Sequence, residues 1–144
     1  MSVYLDTSIL VSIYYPEPIT PKVRKILTDK KGLSTSSFSL VEFSSAINRK
    51  ILMNELSKQN GLKIINRFQS DIEKGYYKVY SFSPDDLTGA NNFIIDNLGR
   101  VSLRTVDALH IAIALRKKCD LFVTADRTQA KSSKKLGLET KLIS

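Results

Sequence analysis

Residues 105–126, TVDALHIAIALRKKCDLFVTAD, join a helix-forming segment to a strand-forming one. Apolar residues cover most of the surface of 106–118, which is typical of a helix buried in the middle of a fold. The short apolar run 121–123 that follows predicts a buried strand, and 124–126 predicts the turn after it. A buried helix leading into a buried strand indicates an α/β protein with a parallel sheet.

The same alternation of short apolar strands and helices extends over the rest of the chain. The predicted strands are 3–5, 33–35, 78–82, 121–123 and 140–143. The predicted helices are a short one after Asp6, then 20–31, 40–53, 55–74, 83–98, 106–118 and one ending at Leu136. The segments 40–53 and 55–74 form a helical hairpin. We therefore expect one α/β domain over residues 1–144, with helices on both faces of a parallel sheet.

The composition narrows the class of protein. At 42% hydrophobic and 25% charged residues, the 144-residue chain has an ordinary globular composition. A single cysteine excludes an internal disulfide framework and a paired-cysteine metal site. No apolar run is long enough for a membrane span, and the N-terminus lacks the basic stretch of a signal peptide. These features predict a soluble, cytoplasmic protein that does not contact a membrane.

The net charge is strongly positive. Twenty-two Lys and Arg residues against 14 Asp and Glu residues give +8, which favours a polyanionic partner. The segment 116–144 alone contains eight basic and three acidic residues, and a second basic stretch lies at 22–31. We expect these surfaces to hold phosphates.

Four acidic residues occupy positions where chemistry is expected. Asp6 and Asp126 follow predicted strands, and ligands of open α/β sheets bind at the carboxyl ends of the strands. Glu42 and Asp107 lie in the first turns of otherwise apolar helices. Three of them have a structural explanation as well: Glu42 would complete a capping box with Ser39, Asp126 would cap the last helix, and Asp107 would complement a helix dipole.

Taken together, the four acids favour a metal site. Four carboxylates at one edge of a small sheet repel one another unless a cation neutralises them, and Mg²⁺ or Mn²⁺ with oxygen ligands is the simplest such cation. His110 is the only histidine, which leaves no His-rich zinc site, and we expect it to pack beside the acids or support them. There is no glycine-rich phosphate loop. A carboxylate-held metal on a basic protein suggests metal-assisted cleavage of a phosphodiester.

Four motifs follow one another along the chain: MSVYLDTS at 1–8, SLVE at 39–42, DALHIAIA at 107–114 and VTAD at 123–126. In this order they resemble the PIN-domain family, and most closely its VapC-like branch of ribonuclease toxins from type II toxin–antitoxin modules. The resemblance covers essentially the whole chain in order and spacing.

The resemblance implies a three-layer α/β/α fold and an Mg²⁺- or Mn²⁺-dependent ribonuclease site. The family's acidic quartet falls on Asp6, Glu42, Asp107 and Asp126, as catalytic and metal-binding residues. Ser8 and Thr124 match polar residues that support the acids. Family members of this kind are usually homodimers neutralised by a small antitoxin, and the hairpin between Leu40 and Lys74 is the expected clamp around it.

Other functions stay open at this point. A PIN-like fold can bind RNA or a protein without cleaving it. A PIN nuclease can also act in RNA processing instead of acting as a toxin. A phosphatase with an aspartyl nucleophile requires a second acid two residues after the first, where this chain has Ser8.

Overall fold

The computed structural model describes residues 1–144 and contains one five-stranded sheet in the order β3-β2-β1-β4-β5, with every neighbouring pair parallel. The strands are β1 Val3–Leu5, β2 Leu33–Ser36, β3 Lys78–Tyr80, β4 Leu121–Thr124 and β5 Thr140–Leu142. The helices are α1 Thr7–Tyr14, α2 Thr20–Leu27, α3 Ser37–Leu52, α4 Lys58–Glu73, α5 Pro84–Asp96, α6 Thr105–Arg116 and α7 Arg127–Lys135.

Both faces of the sheet are buried at its centre, which explains why β1 is apolar throughout and β4 is apolar up to its last residue. Val3 and Leu5 face a core shared with α1, α2, α3 and α4. Tyr4 points to the opposite face and packs with Phe122 and residues of α6. The two cores make three layers of helix, sheet and helix, which confirms the predicted α/β/α fold with a central parallel sheet.

The start of α3 differs from the prediction. The helix begins at Ser37, directly after β2, and Ser36 is its N-cap without a side-chain hydrogen bond. Ser39 therefore lies within the first turn, where its hydroxyl accepts a hydrogen bond from Thr35 Oγ1 at 2.5 Å. The capping box predicted for Ser39 and Glu42 is wrong, because no loop separates strand from helix, and the Glu42 side chain is free for other contacts.

The predicted helical hairpin is present as α3 and α4. Phe43 and Phe68 join the two helices, with ring centroids 4.4 Å apart. At Gly61 the helices approach so closely that a Cβ atom would lie 2.6 Å from Ile51 Cδ1. The two helices of the hairpin therefore pack closely against each other. No helix of the structure has both the length and the apolar character needed to cross a membrane.

Candidate active site

The candidate site lies where the chain switches direction across the sheet. From the central strand β1 the chain first builds β2 and β3 on one side, and later β4 and β5 on the other. The carboxyl ends of β1 and β4 meet there, and the backbone N–H of Asp6 donates to the carbonyl of Val123 at 3.0 Å. Such a switch point is the usual ligand site of open α/β sheets.

Asp6 is almost fully buried and is held by three donors. Its Oδ1 accepts from the backbone N–H of Thr7 at 2.8 Å. Its Oδ2 accepts from Thr124 Oγ1 at 2.8 Å and from Ser8 Oγ at 3.0 Å. The two residues expected to support the acids therefore both contact this carboxylate directly.

Glu42 reaches the site from α3. Its Oε1 accepts from Thr7 Oγ1 at 2.7 Å and also contacts His110 Nε2. The other ring nitrogen of His110, Nδ1, lies 2.5 Å from the hydroxyl of Tyr4. His110 is fully buried, so a chain of hydrogen bonds runs from the sheet interior through the imidazole to the carboxylate.

Asp107 and Asp126 are bridged by an arginine. Arg104 Nε donates to Asp107 Oδ2 at 3.1 Å, and Arg104 Nη2 donates to Asp126 Oδ2 at 3.2 Å. The second oxygen of Asp126 accepts from the backbone N–H of Gln129 at 2.9 Å. The capping explanation for Asp126 is thus correct for one oxygen, while the other takes part in the site.

All four predicted carboxylates line one cleft with a cavity volume of about 780 Å³. The acids, with Thr7, Ser8 and Arg104, line one part of it. The face of α3 that carries Glu42 adds Ala46, Arg49, Lys50 and Met53. The structure brings together every acid that the sequence singled out.

The sequence model of one family matches nearly the whole chain. The family is described as PIN domain, and residues 3–135 are matched. The chain belongs to the PIN domain family. The resemblance inferred from the four motifs is confirmed.

Relatives of this PIN domain include ribonuclease VapC47 of Mycobacterium tuberculosis, which is 26% identical over 142 residues, 96% of this chain and 94% of the relative. The crystal structure of VapC20 from the same species, a toxin that cleaves the sarcin-ricin loop, aligns with a TM-score of 0.73 at 16% identity, over 95% of this chain and 96% of the other. VapBC2 of Rickettsia felis, bound to a promoter DNA fragment, aligns over 100% of both chains with a TM-score of 0.72 at 16% identity. At these identities the structural matches show the fold.

The closely spaced carboxylates of this PIN domain change one another's pKa. Burial raises the pKa of Asp107, and the negative charges of Asp6 and Asp126 raise it further, against the opposing effect of Arg104. The same carboxylates raise the pKa of the Arg104 guanidinium. The arginine is three-quarters exposed, so it neutralises the acids from the solvent side.

His110 and Glu42 shift each other's pKa in opposite directions. Burial alone lowers the pKa of His110, but the hydrogen bond to Glu42 and the surrounding carboxylates raise it above its ordinary value of 6.5. Burial alone raises the pKa of Glu42, but His110 and Thr7 together hold it below its ordinary value of 4.5. Both shifts favour an imidazolium beside a carboxylate.

The pair predicts a pH-dependent contribution to stability. The part due to Glu42 is present above about pH 4.5 and is lost as the pH falls through its lowered folded-state pKa. The part due to His110 is complete below about pH 6.5 and is lost as the pH rises through its raised folded-state pKa. In thermal unfolding with EDTA, we expect wild type to exceed Glu42→Gln by about 3–6 °C near pH 5.5, and by less at pH 9. A difference that stays constant from pH 5.5 to 9 contradicts the charged pair.

The sequence did not indicate two residues of the site. Arg104 lies three residues before Asp107, and the need for a cation among four acids is the signal that could have identified it. The other is Thr7, which follows Asp6 in the first motif. Its hydroxyl donates a hydrogen bond to Glu42, 35 positions further along the chain. No local pattern indicates that contact.

Proposed function

We propose that this PIN domain is an endoribonuclease that works with Mg²⁺ or Mn²⁺ and acts as the toxin of a type II toxin–antitoxin module. The observation that carries the proposal is the gathering of four carboxylates in one cleft of a chain whose net charge is +8. A relative that is named a ribonuclease, and a neighbour described as cleaving the sarcin-ricin loop, support it.

The donor atoms of the cleft suit a hard divalent cation. Asp6, Glu42, Asp107 and Asp126 would hold it, and all four offer the carboxylate oxygens that Mg²⁺ and Mn²⁺ prefer. As the side chains stand, no three acidic, histidine or cysteine groups converge on one point. Arg104 supplies positive charge to two of the acids instead, so the site already accommodates a cation there. A bound ion would activate water and stabilise the charge that develops on the attacked phosphodiester.

The surrounding side chains orient the acids. Ser8 and Thr124 hold one oxygen of Asp6, and the hydroxyl of Ser8 also accepts from the backbone N–H of Ala125 at 3.1 Å. Thr7 and His110 hold Glu42 toward the cleft. Such contacts fix rotamers before a substrate arrives, which a preorganised site requires.

Arg104 has a second role once it leaves its carboxylates. Its planar guanidinium matches two oxygens of a phosphate, and its exposure gives it freedom to swing toward the substrate. We propose that Arg104 shields the acids in the free protein and binds a phosphate of RNA in the loaded one.

This competition predicts the behaviour of Arg104→Gln. The variant should bind Mn²⁺ about two- to fivefold more tightly than wild type in calorimetric titration, since exposed ion pairs compete only weakly. Arg49→Gln is the matched control, because Arg49 lines the same cleft and forms no ion pair. Equal gains in the two variants would instead indicate a general charge effect.

The proposed partner is a small antitoxin whose peptide enters the cleft. One wall is the face of α3 with Ala46, Met53, Arg49 and Lys50, which offers apolar contacts and positive charge. The α3–α4 hairpin forms the clamp. Structures of the neighbouring VapBC2 and of a DNA-bound VapBC from Salmonella typhimurium support such an assembly. The cytoplasm is the proposed location.

A homodimer is also proposed. Leu87, Ile95 and Leu98 lie on one side of α5 and the turn after it, and each is more than half exposed. An apolar surface of this kind suits a second copy of the chain. The molar mass of the purified protein in solution tests this.

RNA cleavage tests the proposed function. Purified protein is incubated with total cellular RNA in EDTA, and then with added Mg²⁺ or Mn²⁺. We expect discrete cleavage products only after a metal ion is added, and loss of cleavage when chelator is restored. Metal-independent cleavage, or none with either ion, would refute the proposal.

A further inference from the structure

A second cavity, outside the acidic cleft, is lined by four exposed cations. Arg100 contributes from the loop before α6, and Arg127, Lys131 and Lys135 contribute from α7. We refer to this cavity as the basic groove; its volume is about 420 Å³. No acidic residue lines it, and none of its cations forms an ion pair.

The arrangement of these charges is unfavourable for the free protein. Arg127, Lys131 and Lys135 follow one another at intervals of four residues, so they lie on the same face of α7 and repel one another. Arg127 also stands at the first position of the helix, where the dipole disfavours a cation. Helix α7 has no acidic residue to offset them. A bound polyanion would compensate all three charges at once.

Two side-chain hydrogen bonds fix the elements that line the groove. The buried hydroxyl of Ser132 donates to the carbonyl of Ser102 at 2.6 Å and fastens the loop to α7. Gln129 Nε2 donates to the carbonyl of Asp107 at 3.3 Å and ties α7 to α6. The cations therefore project from a surface whose position relative to the acidic cleft is fixed.

The groove continues the acidic cleft. Asp126 and Arg104 both line the acidic cleft. Arg127, the residue after Asp126, and Arg100, four residues before Arg104, line the basic groove. A strand that passes the four carboxylates therefore meets the basic groove next. Repulsion from the acids would push phosphates toward these cations.

We propose that the basic groove binds the phosphodiester backbone of the single-stranded RNA segment that leaves the acidic cleft. The proposal rests on the ribonuclease function proposed above and assigns it a substrate-binding surface outside the cleft. No aromatic side chain lines the groove, so it offers no platform for base stacking and reads no sequence. Its contacts lie away from the reacting phosphate, so they contribute to KM and not to kcat.

Binding is tested with the double variant Lys131→Gln/Lys135→Gln. The probe is a fluorescein-labelled single-stranded 2′-O-methyl RNA of 20 nucleotides, followed by anisotropy in EDTA. Loss of two phosphate contacts should weaken binding about twentyfold at 0.1 M salt and reduce the slope of log affinity against log salt by about 1.4. The matched control is Lys58→Gln/Lys63→Gln, which removes the same charge from the exposed surface of α4, outside both stretches expected to hold phosphates, and it should change both quantities much less.

Cleavage provides the second readout. With a long RNA substrate, the groove variant should raise KM and leave kcat unchanged, whereas a trinucleotide too short to reach the groove should be cleaved equally by both proteins. An unchanged salt slope, an equal loss in the control, or tighter groove-dependent binding of duplex DNA of the same length would overturn the proposal. Groove-dependent RNA binding without any cleavage would instead refute the ribonuclease function and leave the groove assignment intact.

Discussion

Replacing Asp6 with asparagine is expected to lower the rate of RNA cleavage by about 10³-fold, the scale on which removing a preorganised electrostatic group acts. Asp6 lies at the switch point between β1 and β4, and three donors fix both its oxygens. Asparagine keeps the shape and one carbonyl oxygen but removes the negative charge. The hydroxyls of Ser8 and Thr124 can rotate to accept from the new amide. The fold should therefore survive while the proposed cation loses a charged ligand.

The control for this variant is Asp120→Asn. Asp120 precedes β4 at the opposite edge of the sheet, where it accepts from the backbone N–H of Ser2 at 2.7 Å. Initial rates on a labelled RNA, with circular dichroism melting of each protein, separate loss of chemistry from loss of fold. We expect Asp120→Asn to cleave like wild type. Cleavage by Asp6→Asn within about threefold of wild type would remove Asp6 from the proposed chemistry.

The parts of the site that depend on strand ends could be predicted from sequence. Asp6 and Asp126 follow short apolar runs, and parallel neighbours bring their carboxyl ends to one edge wherever the sheet order allows it. Asp107 was predictable because it opens the most apolar helix of the chain. The sheet order itself has no local signal, and the register that sets Leu5 opposite Val123 becomes visible only in the structure.

The contacts among the acids could not be predicted in the same way. Glu42 was expected to satisfy a backbone donor at its own helix start, but α3 begins earlier and turns this side chain toward Thr7 and His110. The partner of Asp107 and Asp126 is Arg104, a residue that looks like an ordinary surface arginine in the sequence. Local patterns describe one element at a time, and these contacts join the ends of four different elements.

The charge of the protein has two separate components. The acidic cleft concentrates negative charge where a cation is proposed, and the surrounding surface is more basic than the net charge of +8 suggests. An RNA strand would be attracted by this basic surface and repelled by the acids until a cation neutralises them. The proposed chemistry and the proposed substrate binding would therefore depend on different residues, and different variants can separate them.

Replacing His110 with alanine is expected to lower the free energy of unfolding by about 3 kcal/mol. The imidazole is fully buried, so its removal leaves a cavity between α6 and the sheet. The hydroxyl of Tyr4 and the carboxylate of Glu42 both lose their hydrogen bond to His110. Urea denaturation at pH 6 measures the loss. Cleavage should fall as well, because Glu42 is then held by Thr7 alone.

Two further variants separate packing from hydrogen bonding. Tyr4→Phe removes only one hydroxyl from the chain, and we expect a cost of about 1 kcal/mol with little change in cleavage. Combining His110→Ala with Glu42→Gln measures the coupling between imidazole and carboxylate, since the two single costs should exceed the cost of the pair by about 1 kcal/mol. Strict additivity would mean that His110 serves only as packing. A coupling that weakens from pH 6 to pH 9 would instead assign the stabilisation to the charged form of the ring, because only deprotonation of His110 removes the charge across that range.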